Sequence, residues 1–140
     1  MNGYLLDTHI LIWLLDDDER LNLNIRDDID FFQHAYYVSV ETLREIVILQ
    51  SLGKIGFNMS LEGIITILLE RQINILPVNV CDIKALEKLP ILDINEKKHT
   101  DPFDRLLISQ AIAAKYILIS SDSKFPYYKA YGLKLLVNEK

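Results

Sequence analysis

The sequence predicts an α/β fold with a mostly parallel central sheet and helices on both faces. Short apolar segments, such as 4–6, 36–38 and 116–121, alternate with longer segments whose apolar residues recur at helical spacing. Strands that alternate with helices in this way form parallel sheets covered on both sides. At 140 residues the chain is expected to be one domain, 1–140, that is long enough to bury a core.

The first half of the chain is predicted to contain two strands and four helices. Ser39 and Ser60 are good N-caps, Gly53 follows a helix end, and the polar run 16–20 separates the first two helices. In chain order, the predicted elements are a strand at 3–7, helices at about 8–15 and 22–34, a strand at 36–38, and helices at 39–52 and 61–69.

The second half is predicted to continue the alternation. Asp101 followed by Pro102 is a strong helix start, because Asp caps the free N–H groups and Pro fits the first helical position. The predicted elements are a strand at 73–80, a short helix at about 82–89, a helix from 102 to about 115, a strand ending at 120 or 121, and a strand at 134–137.

The composition predicts a soluble, cytoplasmic protein. Cys81 is the single cysteine, which excludes an internal disulfide, and we expect it to be a small buried residue. The N-terminus has no basic leader and is interrupted by Asp7. The longest apolar run, Ile10 to Leu15, is far below the roughly 18 residues that a membrane span needs.

Four carboxylates lie where such a fold would gather them. Asp7 and Asp122 follow apolar strands, at the carboxyl ends where α/β folds form their crevice. Glu45 and Asp104 head the apolar stripes of two predicted helices. A carboxylate on a core-facing stripe is costly unless something compensates its charge. We therefore predict that the four acids share a metal ion.

Most of these acids also have an ordinary structural explanation. Asp7 is a possible N-cap for the helix at 8, and Asp122 a possible turn residue. Asp101 is best explained as a cap, with at most a secondary role in the site. Asp104 lies in the first helical turn, where an acid favours the helix dipole.

Glu45 is the hardest acid to explain structurally. It lies past the first turn of its helix, where the dipole is weak, whereas Glu41 is the more natural surface and dipole acid. Oxygen ligands without His or Cys favour Mg²⁺ or Mn²⁺ over zinc. Such a cluster suits phosphoryl chemistry, because a bound cation activates water and stabilises charge on phosphate oxygens.

Other catalytic patterns find no support in the sequence. His9, His34 and His99 have no serine or cysteine partner at informative spacing, so a nucleophilic triad is not indicated. The five glycines form no phosphate-binding loop.

The net charge of −5 argues weakly against a nucleic-acid ligand, for which a basic face is expected. A metal held by the four acids would offset much of that charge. Five basic residues lie close in sequence to two of the acids and are candidates for a phosphate-facing rim, with a solvated loop as the simpler alternative. They are Lys97, Lys98, His99, Arg105 and Lys124.

Four segments resemble the acidic motifs of PIN-domain nucleases, in the right order and across nearly the whole chain. They are LLDTH at 5–9, SVETLREI at 39–46, HTDPFDRLLISQA at 99–111, which is the most specific, and ISSD at 119–122 with Phe125 and Tyr128. The closest branch is that of VapC-like toxins from prokaryotic type II toxin–antitoxin modules. Arg44 stands where this branch often has Trp.

The resemblance implies a single PIN-like domain acting as a Mg²⁺- or Mn²⁺-dependent endoribonuclease. Such toxins are usually dimers and are held inactive by a cognate antitoxin. The implied catalytic and metal-binding acids are Asp7, Glu45, Asp104 and Asp122, with Thr8 and Ser120 at the hydroxyl positions and Asp101 as an accompanying acid.

Two other functions stay open, and a third is disfavoured. The first is a metal-dependent DNase or phosphatase, and the second is a non-catalytic PIN-like binding module. A phosphoacceptor signalling domain is disfavoured, because it needs an acidic pair after the first strand and Asp7 stands alone.

The first helix and the segments Leu43–Leu52 and Leu61–Leu69 carry more apolar residues than one core requires. We expect a second buried contact for the first helix, made by the same chain or by a partner. We also expect a homodimer and a groove for the antitoxin. Trp13 is either an interface anchor or an ordinary core residue.

Overall fold

The computed structural model describes residues 3–139, which form an α/β fold around a five-stranded parallel sheet. The α-helices are α1 (Thr8–Leu15), α2 (Leu23–Asp30), α3 (Val40–Ser51), α4 (Leu61–Glu70), α5 (Val80–Lys88) and α6 (Pro102–Ala114). The strands are β1 (Gly3–Leu6), β2 (Ala35–Ser39), β3 (Ile73–Leu76), β4 (Asp93–Ile94), β5 (Lys97–Lys98), β6 (Ile117–Ser120) and β7 (Lys134–Val137), and a 3₁₀ helix spans Phe125–Tyr131.

The sheet has the strand order β3-β2-β1-β6-β7, so β1 lies at its centre. Leu5 is in register with Tyr37 of β2 and with Leu118 of β6. The chain builds the sheet outward on one side of β1 and then crosses to the other side. Such a reversal opens a crevice at the carboxyl ends of the two central strands, and Asp7 and Asp122 both follow strands there.

Alternation along the strands gives the sheet two apolar faces, each covered by helices. Leu6, Val38 and Ile119 point into a core that they share with α1 to α4. Leu5 and Leu118 point into a second core, formed with α6 and the 3₁₀ helix, and α5 packs on α6. The predicted architecture is therefore confirmed: a parallel sheet with helices on both faces.

Helix α1 is buried by its own chain on most of its surface. Ile10, Leu11 and Leu14 are almost inaccessible, and the helix packs against α3. Trp13 is half-buried against the first core, and the guanidinium of Arg20 lies 5.1 Å from its ring centroid. The second contact expected for this helix is thus supplied within the chain.

The predicted caps are confirmed, whereas two predicted elements were too long. Ser39 and Ser60 accept hydrogen bonds from the first turns of α3 and α4. Helix α2 ends at Asp30 rather than 34, and Phe32 follows it with φ of 55°. Strand β3 ends at Leu76 rather than 80.

The chain that follows β3 begins a helix earlier than predicted. Asn79 caps α5 and accepts a hydrogen bond from the backbone N–H of Asp82, whose carboxylate accepts one from the N–H of Asn79. This reciprocal pair fixes the helix start at Val80 rather than near Asp82.

Two short elements were not predicted. Strands β4 and β5 form an antiparallel hairpin whose turn residues, Asn95 and Glu96, have positive φ angles of 54° and 65°. This is the backbone that a two-residue hairpin turn requires. The other element is the 3₁₀ helix Phe125–Tyr131.

The expectation of a buried cysteine was wrong, because Cys81 lies exposed in the first turn of α5. Along residues 3–139, no helix combines the length and apolar character that crossing a membrane would take.

Candidate active site

Asp7 lies between the end of β1 and the start of α1 and is buried. Its Oδ1 accepts a hydrogen bond from the backbone N–H of Thr8 at 2.7 Å, and its Oδ2 accepts one from the Ser120 hydroxyl at 2.7 Å. Burial raises the pKa of Asp7 to about 7, and the carboxylates of Asp104 and Asp122 add to the rise while the hydrogen bonds oppose it. Its own partners therefore do not compensate its charge.

Glu45 faces α1 from the second turn of α3. Its Oε1 accepts a hydrogen bond from the Thr8 hydroxyl at 2.7 Å. Burial raises the pKa of Glu45, the Thr8 bond opposes this, and Asp101 adds to the rise. Glu45 lies past the first turn of α3, and from there its side chain reaches the Thr8 hydroxyl at the start of α1.

Asp104 lies in the first turn of α6, and its Oδ2 is 3.0 Å from Nε2 of His99. The Nδ1 of His99 is 2.7 Å from the Tyr128 hydroxyl. In the neutral Nε2–H tautomer of His99, Nε2–H donates to the Asp104 carboxylate and the Tyr128 O–H donates to Nδ1. Burial raises the pKa of Asp104 to about 6 despite the His99 bond, with Asp101 and Asp122 contributing.

Asp122 follows β6 and is joined to Asp7 through one hydroxyl. The Ser120 oxygen donates to Asp7 and accepts a hydrogen bond from the Asp122 backbone N–H at 3.0 Å. The Asp122 carboxylate accepts from the Lys124 backbone N–H at 2.9 Å, and the Lys124 ammonium lies 3.7 Å away. The turn that was proposed as an ordinary explanation is present, and it holds the acid beside the cluster.

Asp101 is the exposed N-cap of α6, as predicted. Its Oδ1 accepts hydrogen bonds from the backbone N–H groups of Phe103 and Asp104 at 2.9 and 3.0 Å. Its charge contributes to the raised pKa of both Glu45 and Asp104, so it lies near the cluster without being buried in it.

The structure brings three of the four acids to one narrow cleft. Asp7, Glu45 and Asp104 line this cleft together with Glu41, and Asp122 adjoins it through Ser120. Glu41 is therefore less of a surface acid than expected. As the side chains stand in residues 3–139, no three His, Cys, Asp or Glu are grouped closely enough to hold a metal ion.

A family model for the PIN domain matches residues 4–131, which is nearly the whole chain. The chain belongs to the PIN domain family. Membership implies hydrolytic nuclease chemistry, which fits a cluster of carboxylates at the carboxyl ends of β1 and β6. A search of curated proteins returned no significant match.

Solved structures show the same fold at low sequence identity. This PIN domain is similar to a chain in the crystal structure of VapBC2 from Rickettsia felis bound to a DNA fragment from their promoter, with a TM-score of 0.68, 17% identity and coverage of 98% of this chain and 99% of that one. It is also similar to chains of DNA-bound VapBC from Salmonella typhimurium (TM-score 0.63, 13% identity, 98% of each chain) and of VapBC-1 from nontypeable Haemophilus influenzae (0.61, 18%, 99% of each chain).

The sequence motifs included the two residues that support Asp104 in this PIN domain, but their contact with it was not predicted. His99 and Tyr128 are both buried, and their contact joins positions 29 apart. The sequence signal for His99 was its place at the start of the motif 99–111. His99 was interpreted as a candidate rim residue and not as a partner of Asp104.

Two of the five candidate rim residues turn inward instead. His99 is buried against Asp104, and the guanidinium of Arg105 donates to the carbonyl oxygens of Leu89 and Pro90, each at 3.0 Å. Arg105 therefore fastens the segment before the hairpin and does not face a ligand.

Arg44, at the position where VapC-like toxins often have Trp, also packs beside the cleft. Its guanidinium lies 4.7 Å from the ring centroid of Phe103 and pairs with Glu41 at 2.6 Å. The cation–π contact joins α3 to the start of α6.

Proposed function

We propose that this PIN domain, a single domain over residues 1–140, is a Mg²⁺- or Mn²⁺-dependent endoribonuclease that hydrolyses RNA phosphodiester bonds. The observation that carries the proposal is the pair of acids Asp7 and Asp104. The pKa of each is raised, to about 7 and about 6, by burial and by neighbouring carboxylates even though hydrogen bonds oppose the rise. A site that concentrates uncompensated negative charge is suited to a cation.

The donor set fits a hard divalent cation. The candidate ligands are carboxylate oxygens, which Mg²⁺ and Mn²⁺ prefer over the nitrogen and sulfur donors of zinc sites. Asp7, Glu45 and Asp104 would be the main anchors, with Asp122 ligating directly or through water. When bound, the cation supplies Lewis-acid chemistry for phosphodiester hydrolysis.

The hydroxyl groups of the site would orient its carboxylates. Ser120 donates to Asp7 and Thr8 donates to one oxygen of Glu45, each at 2.7 Å. His99 holds one oxygen of Asp104 in the same way. Asp101 would support the site by capping α6 and adding negative charge nearby.

We further propose that the protein is the cytoplasmic toxin of a toxin–antitoxin pair, that a cognate antitoxin inhibits it, and that it forms a homodimer. The sequence motifs of the VapC-like branch support this, as do structural neighbours that are parts of VapBC complexes. Helices α3 and α4 expose large apolar side chains that a partner would cover, namely Val47, Leu52, Leu61 and Leu69.

Cleavage of labelled single-stranded RNA by the purified protein tests the proposal. We expect cleavage with Mn²⁺ or Mg²⁺, none in excess EDTA, and none from Asp104→Asn. Glu87→Gln, which neutralises an exposed acid on α5, is the matched control and should cleave normally.

Other outcomes of the same assay would favour the alternatives. Undiminished cleavage in EDTA would overturn the metal mechanism. Cleavage of DNA or of a small phosphoester in preference to RNA would favour a DNase or phosphatase, and no cleavage of any of these would favour a binding module. Light scattering across a concentration series tests the homodimer separately.

A further inference from the structure

A second recess adjoins the acid cleft and has a different chemistry. It has a volume of about 330 Å³ and lies between the β4–β5 hairpin, the loop before α6 and the segment after β6. Its lining includes three lysines, which are Lys97, Lys98 and Lys124. We call it the lysine pocket.

The lysine pocket and the acid cleft share a wall. Asp104 lines both spaces, so a ligand in the pocket would lie directly beside the candidate catalytic acids. Thr100 contributes a hydroxyl to the lining and Asp101 a carboxylate, whereas Ile94, which also lines the pocket, is only 6% exposed. Lysine and hydroxyl groups beside the acid cleft match the phosphate and sugar of a nucleotide.

Two of the three pocket lysines form long, exposed ion pairs. Lys98 lies 3.6 Å from Asp93, and both side chains are 69% exposed. Lys124 lies 3.7 Å from Asp122. Exposed ion pairs of this kind contribute little, so a phosphate can replace or join the carboxylate at small cost.

The backbone that carries Lys97 and Lys98 is fixed on both sides. Its hairpin turn has two residues of positive φ, and the backbone N–H of His99 donates to the carbonyl of Leu92 at 2.9 Å. The Arg105 guanidinium fastens the preceding segment through the Leu89 and Pro90 carbonyls. The pocket is therefore organised before any ligand enters, which reduces the entropy lost on binding.

We infer that the lysine pocket binds one nucleotide of single-stranded RNA next to the scissile phosphodiester, and that Lys97 and Lys98 contact its phosphate. The inference rests on the proposed ribonuclease function. The volume suits one nucleotide rather than a duplex, and an unpaired strand alone can place one nucleotide in a recess beside the acids.

The contribution of Lys97 and Lys98 to RNA affinity is tested by measuring the binding of a fluorescein-labelled single-stranded RNA. Every protein in this experiment also carries Asp7→Asn, which prevents cleavage. Lys97→Ala/Lys98→Ala should weaken binding on the order of tenfold at low salt. It should also lower the slope of log K against log salt by about 0.7, the contribution of one neutralised phosphate on a single strand. Lys97→Arg/Lys98→Arg should retain most of the affinity.

The matched control is Lys54→Ala/Lys134→Ala, which removes the same charge at the opposite end of the sheet. Lys54 follows the C-terminus of α3 and Lys134 begins β7, and both are exposed. This variant should change affinity and salt slope much less. Equal effects of the two double variants would show a general charge effect and overturn the inference.

A double-mutant cycle tests the position of the contact, with catalytic acids intact. Cleavage is mapped first, and each phosphodiester that flanks the scissile bond is then replaced in turn by an uncharged methylphosphonate. One of these substitutions should slow cleavage by the wild-type protein but have little further effect on Lys97→Ala/Lys98→Ala.

The double-mutant cycle distinguishes failure of the proposed ribonuclease function from failure of the proposed nucleotide subsite. If the wild-type protein cleaves no RNA, the proposed function fails. If it cleaves RNA but the lysine and methylphosphonate effects multiply independently at every flanking position, the ribonuclease stands and the nucleotide subsite is wrong.

Discussion

Asp7 and Asp101 are both N-caps of helices, but they differ in burial, in hydrogen-bond partners and in the charges around them. Asp101 is exposed and accepts two backbone hydrogen bonds at the start of α6. Asp7 is buried, accepts only one from α1, and uses its other oxygen to bind Ser120. Burial raises the pKa of Asp7 to about 7. Helix capping accounts for the position of Asp101, but it does not account for the burial of the Asp7 carboxylate.

The difference shows how to separate a structural acid from a functional one. An N-cap gains most from a charge that stays solvated while it binds the free N–H groups. Asp7 instead sits where its ionised form is destabilised by burial and by two other carboxylates. A carboxylate whose ionised form is destabilised in this way is a candidate for a catalytic or metal-binding role.

Replacing Asp7 or Asp101 by asparagine should produce the largest difference between the two residues, and the difference should appear in RNA cleavage. Asp7→Asn keeps a good capping side chain but loses the carboxylate, so we expect RNA cleavage to fall on the order of a thousandfold while the metal-free fold stays intact or becomes more stable. Asp101→Asn should retain most of the cleavage. Cleavage rates and circular dichroism melts on the same samples check both, and an active Asp7→Asn protein would contradict the assignment.

The pH dependence of stability should expose the same difference in metal-free protein. Between its unfolded pKa of 3.8 and its folded pKa of about 7, Asp7 holds a proton only in the folded state. The stabilisation is thus complete below pH 3.8 and is lost as the pH rises to about 7, a loss on the order of 4 kcal/mol. The raised pKa of Asp104 acts in the same direction.

Urea unfolding in EDTA at a series of pH values measures this effect. Asp7→Asn should flatten the decline markedly, whereas Asp101→Asn should leave it close to that of the wild type. A pH profile of stability that is the same for Asp7→Asn and for the wild type would show that Asp7 does not carry the raised pKa.

At neutral pH, metal binding should offset the loss of folding stability that the ionised Asp7 causes. Because a ligand that binds only the folded state stabilises it, Mn²⁺ at about a hundred times its dissociation constant should add about 2.7 kcal/mol. Asp101→Asn should show this gain and Asp7→Asn should lose most of it. Thermal melts with and without Mn²⁺ provide the measurement, and identical gains in both variants would remove Asp7 from the ligand set.

The smallest effect concerns capping alone. Asp101→Ala should cost about 1 kcal/mol of stability, because the N–H groups of Phe103 and Asp104 lose their acceptor. Asp101→Asn should cost much less, and Ser60→Ala, which uncaps α4, should cost a similar amount to Asp101→Ala. A thermal stability loss in Asp101→Asn as large as in Asp101→Ala would mean that charge rather than capping matters there.

The sequence predicted features that depend on local chemistry and on strand direction. Ser39, Ser60 and Asp101 cap helices because their side chains bond to backbone one turn away. Asp7 and Asp122 come together because parallel strands end at the same edge, so their positions after apolar runs were informative.

Features that depend on tertiary contacts were not predictable in the same way. The β4–β5 hairpin has strands of two residues, which are too short to show any periodicity. The bond between His99 and Tyr128 joins a loop to a 3₁₀ helix that had no sequence signal. Helix α2 was overextended because its charged and apolar residues continue a helical pattern past Asp30.

The central place of β1 in the sheet also sets the order in which the site can form during synthesis. Strand β2 is available to pair with β1 early, and Glu45 can then reach Thr8 from α3. The Ser120 hydroxyl that holds Asp7 lies 113 positions further along the chain. Chains emerge from the ribosome N-terminus first, so Asp104 and Asp122 join the cluster only when most of the protein has been made. A partly synthesised chain therefore carries half of the acids and cannot act as the proposed nuclease until its last third has folded.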